Sequence, residues 1–282
     1  MEIVEFQDKL KTLKQKIFKT AWGHERPSDQ LFHYTSPSGL KGILTSGVVW
    51  ATDLTFMNDA QELSYGNKLM KQLYNDKLTK HSVDVARALL KYQPTLFSLR
   101  SNFKLYAFCL TELGDDEDSW KNYADSGQGS ALQFKLCKAE RNRILQVFYK
   151  LHEQEAIFHK VIDPVLEFAD DNPTVLRSED QTKDLAVTIQ KALAMCTLRF
   201  KSTDWEKEKE WRFIGEGKPE GYRTEDGKEI PYQEFHLETL IPLRSVLLGP
   251  CRRGANETGQ LLKAYPSVRI IKSSISCSEL DS

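Results

Sequence analysis

Apolar residues change their spacing repeatedly along this chain, and that change of period constrains the fold more than any other feature. In the first helix-length stretch Ile3, Phe6, Leu10, Leu13, Ile17, Phe18 and Trp22 recur at steps of three and four with lysines between them, the spacing of an amphipathic helix. After a polar turn, Leu31 to Thr35 is a short apolar-aromatic run that reads as a strand. Ser36-Pro37-Ser38 opens a helix with Leu40, Ile43 and Leu44 on one face, stopped by Gly47, and the β-branched run Val48 to Thr52 is a second strand. Helices are expected over 60–76 and 82–92, and Tyr106 to Thr111, apolar on both faces, is expected to be a central strand. Gly127 and Gly129 turn the chain into a fourth strand, Ser130 to Phe134. Helical spacing then dominates 141–198, interrupted at Pro164 and Pro173. Strands return at 210–214, 234–237, 245–248 and 268–271, with a glycine-rich charged hairpin or loop at 215–227 and a short helix at 257–263.

This pattern predicts an α+β fold: a mixed, mainly antiparallel central sheet with flanking helices and an inserted helical layer. The expected organisation is an N-terminal helix in residues 1–30 and a single α+β domain over 31–282, with the helical insertion at about 141–198. An apolar fraction of 40% beside 28% charged residues is that of a folded chain, far from the disordered regime. A net charge of -1 excludes a global positive field of the kind that drives unspecific nucleic-acid binding, and leaves room for a local basic patch. Cys109, Cys137, Cys196, Cys251 and Cys277 stand singly, without a C-x-x-C pair, so reduced thiols are expected rather than a disulfide framework or a zinc site. The start, Met1-Glu2-Ile3-Val4-Glu5, lacks a secretory pattern, and no run approaches the roughly 20 apolar residues that span a bilayer. A cytoplasmic protein without a membrane partner is expected; oligomeric state is not encoded in these patterns.

Three segments carry residue types suited to chemistry. His33-Tyr34-Thr35 ends a strand just before a helix, where side chains and free backbone N–H groups meet ligands, although a packed strand histidine has the same pattern. Asn58-Asp59 with Glu62 is first a helix N-cap and capping box, and in a functional role Asn58 and Asp59 would contact a ribose hydroxyl or polarise a ligand. In Trp205-Glu206-Lys207-Glu208-Lys209-Glu210-Trp211-Arg212, strand alternation would place Glu208, Glu210 and Arg212 on one face, either as a structural pair or with Glu210 tuned as a general base or orienting carboxylate. Trp120, Tyr123 and Gly127 form a lesser candidate. Walker, G-x-G-x-x-G and G-x-S-x-G motifs are missing from the sequence.

In this order the segments resemble an uncharacterised bacterial domain-of-unknown-function family. Its elements correspond to His33-Tyr34-Thr35, Asn58-Asp59 with Glu62, Cys109-Leu110-Thr111, Trp120 with Tyr123-Ala124 and Gly127, and Trp205 with Glu208 and Glu210-Trp211-Arg212. The front end also resembles the ADP-ribosyltransferase superfamily. That resemblance implies NAD as substrate, His33 holding the nicotinamide ribose with support from Thr35, and Glu210 orienting it for departure of nicotinamide. Tyr34, Asn58, Asp59 and Arg212 would complete the NAD site, and Trp50, Tyr65 or Tyr106 would supply a further aromatic. The expected activity is transfer to a nucleic acid or protein acceptor, as a toxin or in bacterial antiviral defence. Two alternatives stand beside it: a metal-dependent nuclease or phosphoesterase using Asp59, Glu62 and Glu210, and a non-catalytic nucleotide-sensing module.

Overall fold

The computed structural model describes residues 3–23, 27–28, 30–56, 60–92, 104–135, 143–239, 241–252 and 255–281. In chain order its elements are α1 (Ile3–Trp22), β1 (Leu31–Thr35), α2 (Pro37–Ser46), β2 (Val48–Asp53), α3 (Ala60–Thr79), α4 (Val83–Leu90), β3 (Leu105–Thr111), α5 (Glu117–Tyr123), β4 (Ser130–Phe134), β5 (Ile144–Gln146), α6 (Leu151–Asp171), α7 (Glu179–Thr197), β6 (Glu210–Glu216), β7 (Gly221–Glu225), β8 (Lys228–His236), β9 (Leu243–Leu248), α8 (Ala255–Leu261) and β10 (Arg269–Lys272). They form two compact units, one from residues 1–25, 55–104 and 147–206, the other from residues 26–54, 105–146 and 207–282.

The first unit is helical. Phe6, Leu10, Leu13 and Ile17, the stripe read from the sequence, are all buried as α1 packs on α6 and α7. Burying four such side chains is worth roughly 6–12 kcal/mol as an upper bound. The carbonyls at the end of α1 need partners, and the buried Arg199 supplies them, its Nη1 donating to Thr20 O at 3.3 Å and Ala21 O at 3.1 Å. Pro164 was expected to interrupt the helical layer, yet α6 runs through it. The apolar stripe Ile157, Phe158, Val161, Ile162, Val165 and Leu166 stays buried along the helix, and that burial outweighs the cost of roughly 3 kcal/mol for an internal proline.

The second unit holds the sheet, which among the described residues has ten strands in the order β10-β9-β4-β1-β3-β2-β8-β7, with β6 paired to β3 and β5 to β6. Every pairing is antiparallel except β9 with β10, so the sheet is open, mixed and mainly antiparallel. As the apolar pattern of Tyr106 to Thr111 requires, β3 is central. One of its edges pairs with β6 along its whole length, from Leu105↔Glu216 to Thr111↔Glu210. The other edge is shared: β1 meets it at Thr111, β2 at Tyr106 and Ala107, and the sheet opens between them. The joining helix α2 is capped as its sequence demands, Ser36 Oγ accepting from Gly39 N and Gly47 closing the C-terminus at φ 74°.

Alternation sorts side chains onto two faces. The inner face carries Leu31, Phe108, Leu110, Leu132, Phe134, Trp211 and Phe213 under α2, and the outer face carries Phe32, Tyr34 and Ala131 with Trp120 and Leu280. Residues 215–227, read only as a hairpin or loop, hold the end of β6 and then β7, which leads through a left-handed Asp226-Gly227 turn (φ 49° and 74°) into β8.

The cysteine expectation is corrected. Cys251 and Cys277 form a disulfide, with Cα atoms 4.9 Å apart across 26 residues of sequence. Folding brings the C-terminal segment back over the outer face, a closure that spacing alone does not reveal.

Candidate functional site

His33 lies on β1 where that strand leaves β3, and its ring packs on Phe108 at 4.4 Å between centroids. Its Nδ1 is 3.0 Å from the Cys109 carbonyl oxygen. A carbonyl only accepts, so Nδ1 carries the proton and donates. Burial pushes the imidazole pKa below its ordinary value, against the opposing effect of this hydrogen bond. The ring is therefore neutral at pH 7, with Nε2 an acceptor in a fixed tautomer. Beside it Thr35 is enclosed by two backbones: a side chain on Gly39 would strike its hydroxyl, and one on Gly129 its carbonyl oxygen.

Glu210 begins β6. Arg212 donates to it from Nε (2.7 Å) and Nη2 (3.0 Å), with the two residues 6% and 1% exposed. This is a bidentate, nearly desolvated pair on one strand face. Thr111 stands opposite Glu210 and Cys109 opposite Arg212 across β3. Sequence alternation had placed Glu208 on the same strand, but Thr203–Glu208 is a 3-10 turn and Lys209 is left-handed at φ 44°, so Glu208 is presented from the turn. Holding a non-glycine residue there costs on the order of 1–2 kcal/mol. Contacts on both sides keep it: Thr111 Oγ1 donates to Glu208 O at 2.6 Å, and Glu112 N donates to Lys209 O at 3.4 Å. The Glu208 carboxylate accepts from the hydroxyl of Tyr123, whose ring is about half exposed at the end of α5.

Tyr34 packs edge-on against Trp120 at 4.7 Å. Its hydroxyl donates to Leu113 O and accepts from Asp116 N, and burial raises its pKa beyond the ordinary phenol value. Trp120 Nε1 donates to Asp115, which also accepts from Ser273 Oγ, Ser274 N and Ser274 Oγ at 2.7–2.8 Å. Burial would raise the Asp115 pKa, but these four hydrogen bonds outweigh it and hold the carboxyl below its usual range.

The predicted residues are thus partly assembled. Phe32, Thr111 and Glu210 are successive partners across β1, β3 and β6, and antiparallel partners share a face. Tyr34, Glu210 and Arg212 accordingly lie on the outer face with Trp120, Tyr123 and Glu208. His33 and Thr35 lie on the inner face, one residue out of phase, so the structure does not bring His33 and Glu210 together on one side of the sheet. Trp211 also faces inward, donating from Nε1 to Glu112 at 3.0 Å. Asn58 and Asp59 lie outside the described residues, as does the side chain of Glu62 in α3. Of the further aromatics, Trp50 is exposed and stacked on Tyr232, Tyr65 donates to Gln154, and Tyr106 is buried in the inner face. Among the described residues no group of three or more His, Cys, Asp or Glu side chains is arranged to hold a metal ion.

Sequence reasoning missed the Glu208–Tyr123 contact and the role of Asp115. The first had a signal in two charged residues flanking Lys209. The second had none, because Ser273 and Ser274, which supply three of its four hydrogen bonds, are more than 150 residues away.

Fold and site define a mixed α/β protein in which a mainly antiparallel open sheet presents a carboxylate-rich strand start on one face. Residues 119–213, from α5 through β6, match the profile of a family described as "Protein of unknown function (DUF2971)". The match supports the resemblance to an uncharacterised domain family, and its segment contains Trp120, Tyr123, Glu208, Glu210 and Arg212. No curated protein and no solved structure matches the chain. Among the described residues no helix is long and apolar enough to cross a membrane.

Proposed function

We propose that the protein is an ADP-ribosyltransferase-like enzyme that uses NAD to modify a nucleic acid or protein, as a toxin or in antiviral defence within the cytoplasm. The observation that carries this reading is the carboxylate arrangement at the start of β6. Glu210 is anchored by Arg212, and Glu208 is held two residues away by a left-handed Lys209 and by Tyr123. Departure of nicotinamide builds positive charge on the ribose, so a fixed carboxylate stabilises the transition state more than the ground state. Glu208 is the carboxylate presented toward solvent, Tyr123 offers an aromatic face beside it, and Glu210, held by Arg212, fixes the strand start that follows. His33, neutral and with Nε2 as acceptor, suits a ribose hydroxyl, but it lies on the opposite face of the sheet from Glu208 and Glu210. In a reducing cytoplasm the Cys251–Cys277 pair would be open.

The test is nicotinamide release from NAD in the presence of mixed oligonucleotide and protein acceptors. Wild type should release nicotinamide, and Glu208→Gln and Glu210→Gln should each reduce the rate by about 100-fold or more. No release by wild type, or two glutamate variants that match it, overturns the proposal. Loss in His33→Ala alone would move the ligand to the inner face and sink the carboxylate reading. A second reading is favoured by the doubly engaged Glu210 carboxylate: a nucleotide-binding module without turnover. Thermal stabilisation by NAD with no nicotinamide released would select it.

A further inference from the structure

The last strand, β10, is exposed at all four residues. Its isoleucines point to opposite faces, and both remain open to solvent, Ile270 at 44% and Ile271 at 40%. β10 pairs with β9 on one side and ends the strand order, so among the described residues no strand covers its outer edge. Every second residue of such a strand directs its N–H and C=O away from the sheet, which makes the edge a template for another strand.

Charge restricts what that strand can be. Residues 243–272 carry Arg244, Arg252, Arg253, Lys263, Arg269 and Lys272 against Glu257, six positive and one negative, in a chain of net charge -1. Arg269 and Lys272 bracket the two isoleucines, both exposed. In the antiparallel register that matches Ile270 of one copy with Ile271 of another, Arg269 of each copy faces Lys272 of the other. Like charges directly opposite destabilise a strand pair. The edge therefore disfavours a second copy of itself and suits a strand that has acidic residues at the corresponding ends.

We propose that β10 is a docking edge for an extended segment of a partner protein, apolar at its centre and acidic at both ends, which adds to the sheet as a further strand. The added backbone pairs with the outer edge of β10, its central side chains cover Ile270 and Ile271, and its terminal carboxylates meet Arg269 and Lys272. Two exposed isoleucines without an aromatic side chain on the strand favour a peptide over a nucleic acid, whose bases need aromatic faces to stack on. This proposal is independent of the nucleotide reading of the Glu208–Arg212 segment.

The probe is a fluorescein-labelled, N-acetylated peptide with a valine–threonine centre and two glutamates at each end, titrated with the full chain and followed by anisotropy. Wild type should bind it, bind the lysine-ended analogue about tenfold or more weakly, and fail to bind a version N-methylated at alternate amides. The variant Arg269→Glu/Lys272→Glu, with an unchanged thermal midpoint, should reverse the preference toward the lysine-ended peptide. Equal binding of both peptides, retained binding of the N-methylated peptide, or no reversal overturns the proposal. Dimerisation abolished by the same charge reversal would assign the edge to a second copy. Tighter binding of a single-stranded oligonucleotide, lost in that variant, would assign it to nucleic-acid phosphates, and either result also overturns it.

Discussion

Replacing Arg212 by Met puts the Glu210–Arg212 pair to a quantitative test. Arg212 is 1% exposed and Glu210 6%, and two hydrogen bonds of 2.7 and 3.0 Å join them, so the guanidinium is the direct counter-charge of a nearly desolvated carboxylate. Removing one member of a buried pair typically costs about 3–5 kcal/mol, because the other charge keeps its desolvation penalty and loses its compensation. For a chain of this size that corresponds to a fall in Tm of about 5–15 °C. Replacing both residues, Glu210→Leu with Arg212→Met, removes the uncompensated charge. It should return the stability to within roughly 1 kcal/mol of wild type, or above it. The assay is urea unfolding followed by circular dichroism, with the m-value compared across wild type, the two single variants and the double variant. A single variant that loses less than about 1 kcal/mol, or a double variant no better than the worse single one, would refute the desolvation argument. It would mean that the two side chains are effectively hydrated. Under the proposed activity, the same double variant separates stability from chemistry, since it should fold while any nicotinamide release falls by about 100-fold or more.

Two further outcomes follow from the geometry. The folded chain keeps His33 neutral, while the unfolded chain takes up a proton near pH 6.5, so the unfolded state binds more protons as pH falls. Stability is therefore fully present above about pH 6.5 and declines below it, at up to roughly 1.4 kcal/mol per pH unit from this group; urea midpoints between pH 7.5 and 5 should fall less steeply for His33→Gln, and equal slopes would remove the assignment. The Cys251–Cys277 bond closes a span of 26 residues, which by loop entropy is worth about 3–4 kcal/mol. Reduction, or Cys277→Ser, should lower Tm by several degrees and open the segment around Ser276 to proteolysis, read by mass spectrometry; equal cleavage in oxidised and reduced protein would count against the staple.

Local chemistry was legible wherever one element contains its own signal. The bounds of β1 and β4 are readable from their apolar runs, and α2 from Ser36, Pro37 and Gly47, because alternation and capping act within a few residues. β5 and β7 were not separable from their surroundings, β5 because it is three residues long and β7 because Gly221–Glu225 has no apolar run, so both rest on pairing with β6 and β8. The capping-box reading of Asn58, Asp59 and Glu62 concerns residues or side chains outside those described.

The candidate site divides along the same line. Residue types, their order and the alternation that separates His33 from Tyr34 are properties of the chain itself. Which of them shares a face with Glu210 depends on the row Phe32–Thr111–Glu210, a register linking three strands far apart in sequence. A shift of one residue in either pairing would reverse the outcome, and nothing local specifies it. The left-handed Lys209, the Glu208–Tyr123 contact, the Asp115 hydrogen bonds and the Cys251–Cys277 disulfide are likewise tertiary. By itself the sequence determined the elements and the chemistry available, since periodicity and capping are short-range. Tertiary structure alone decided which side chains meet, because strand register and chain closure are set by burial summed over the whole sheet.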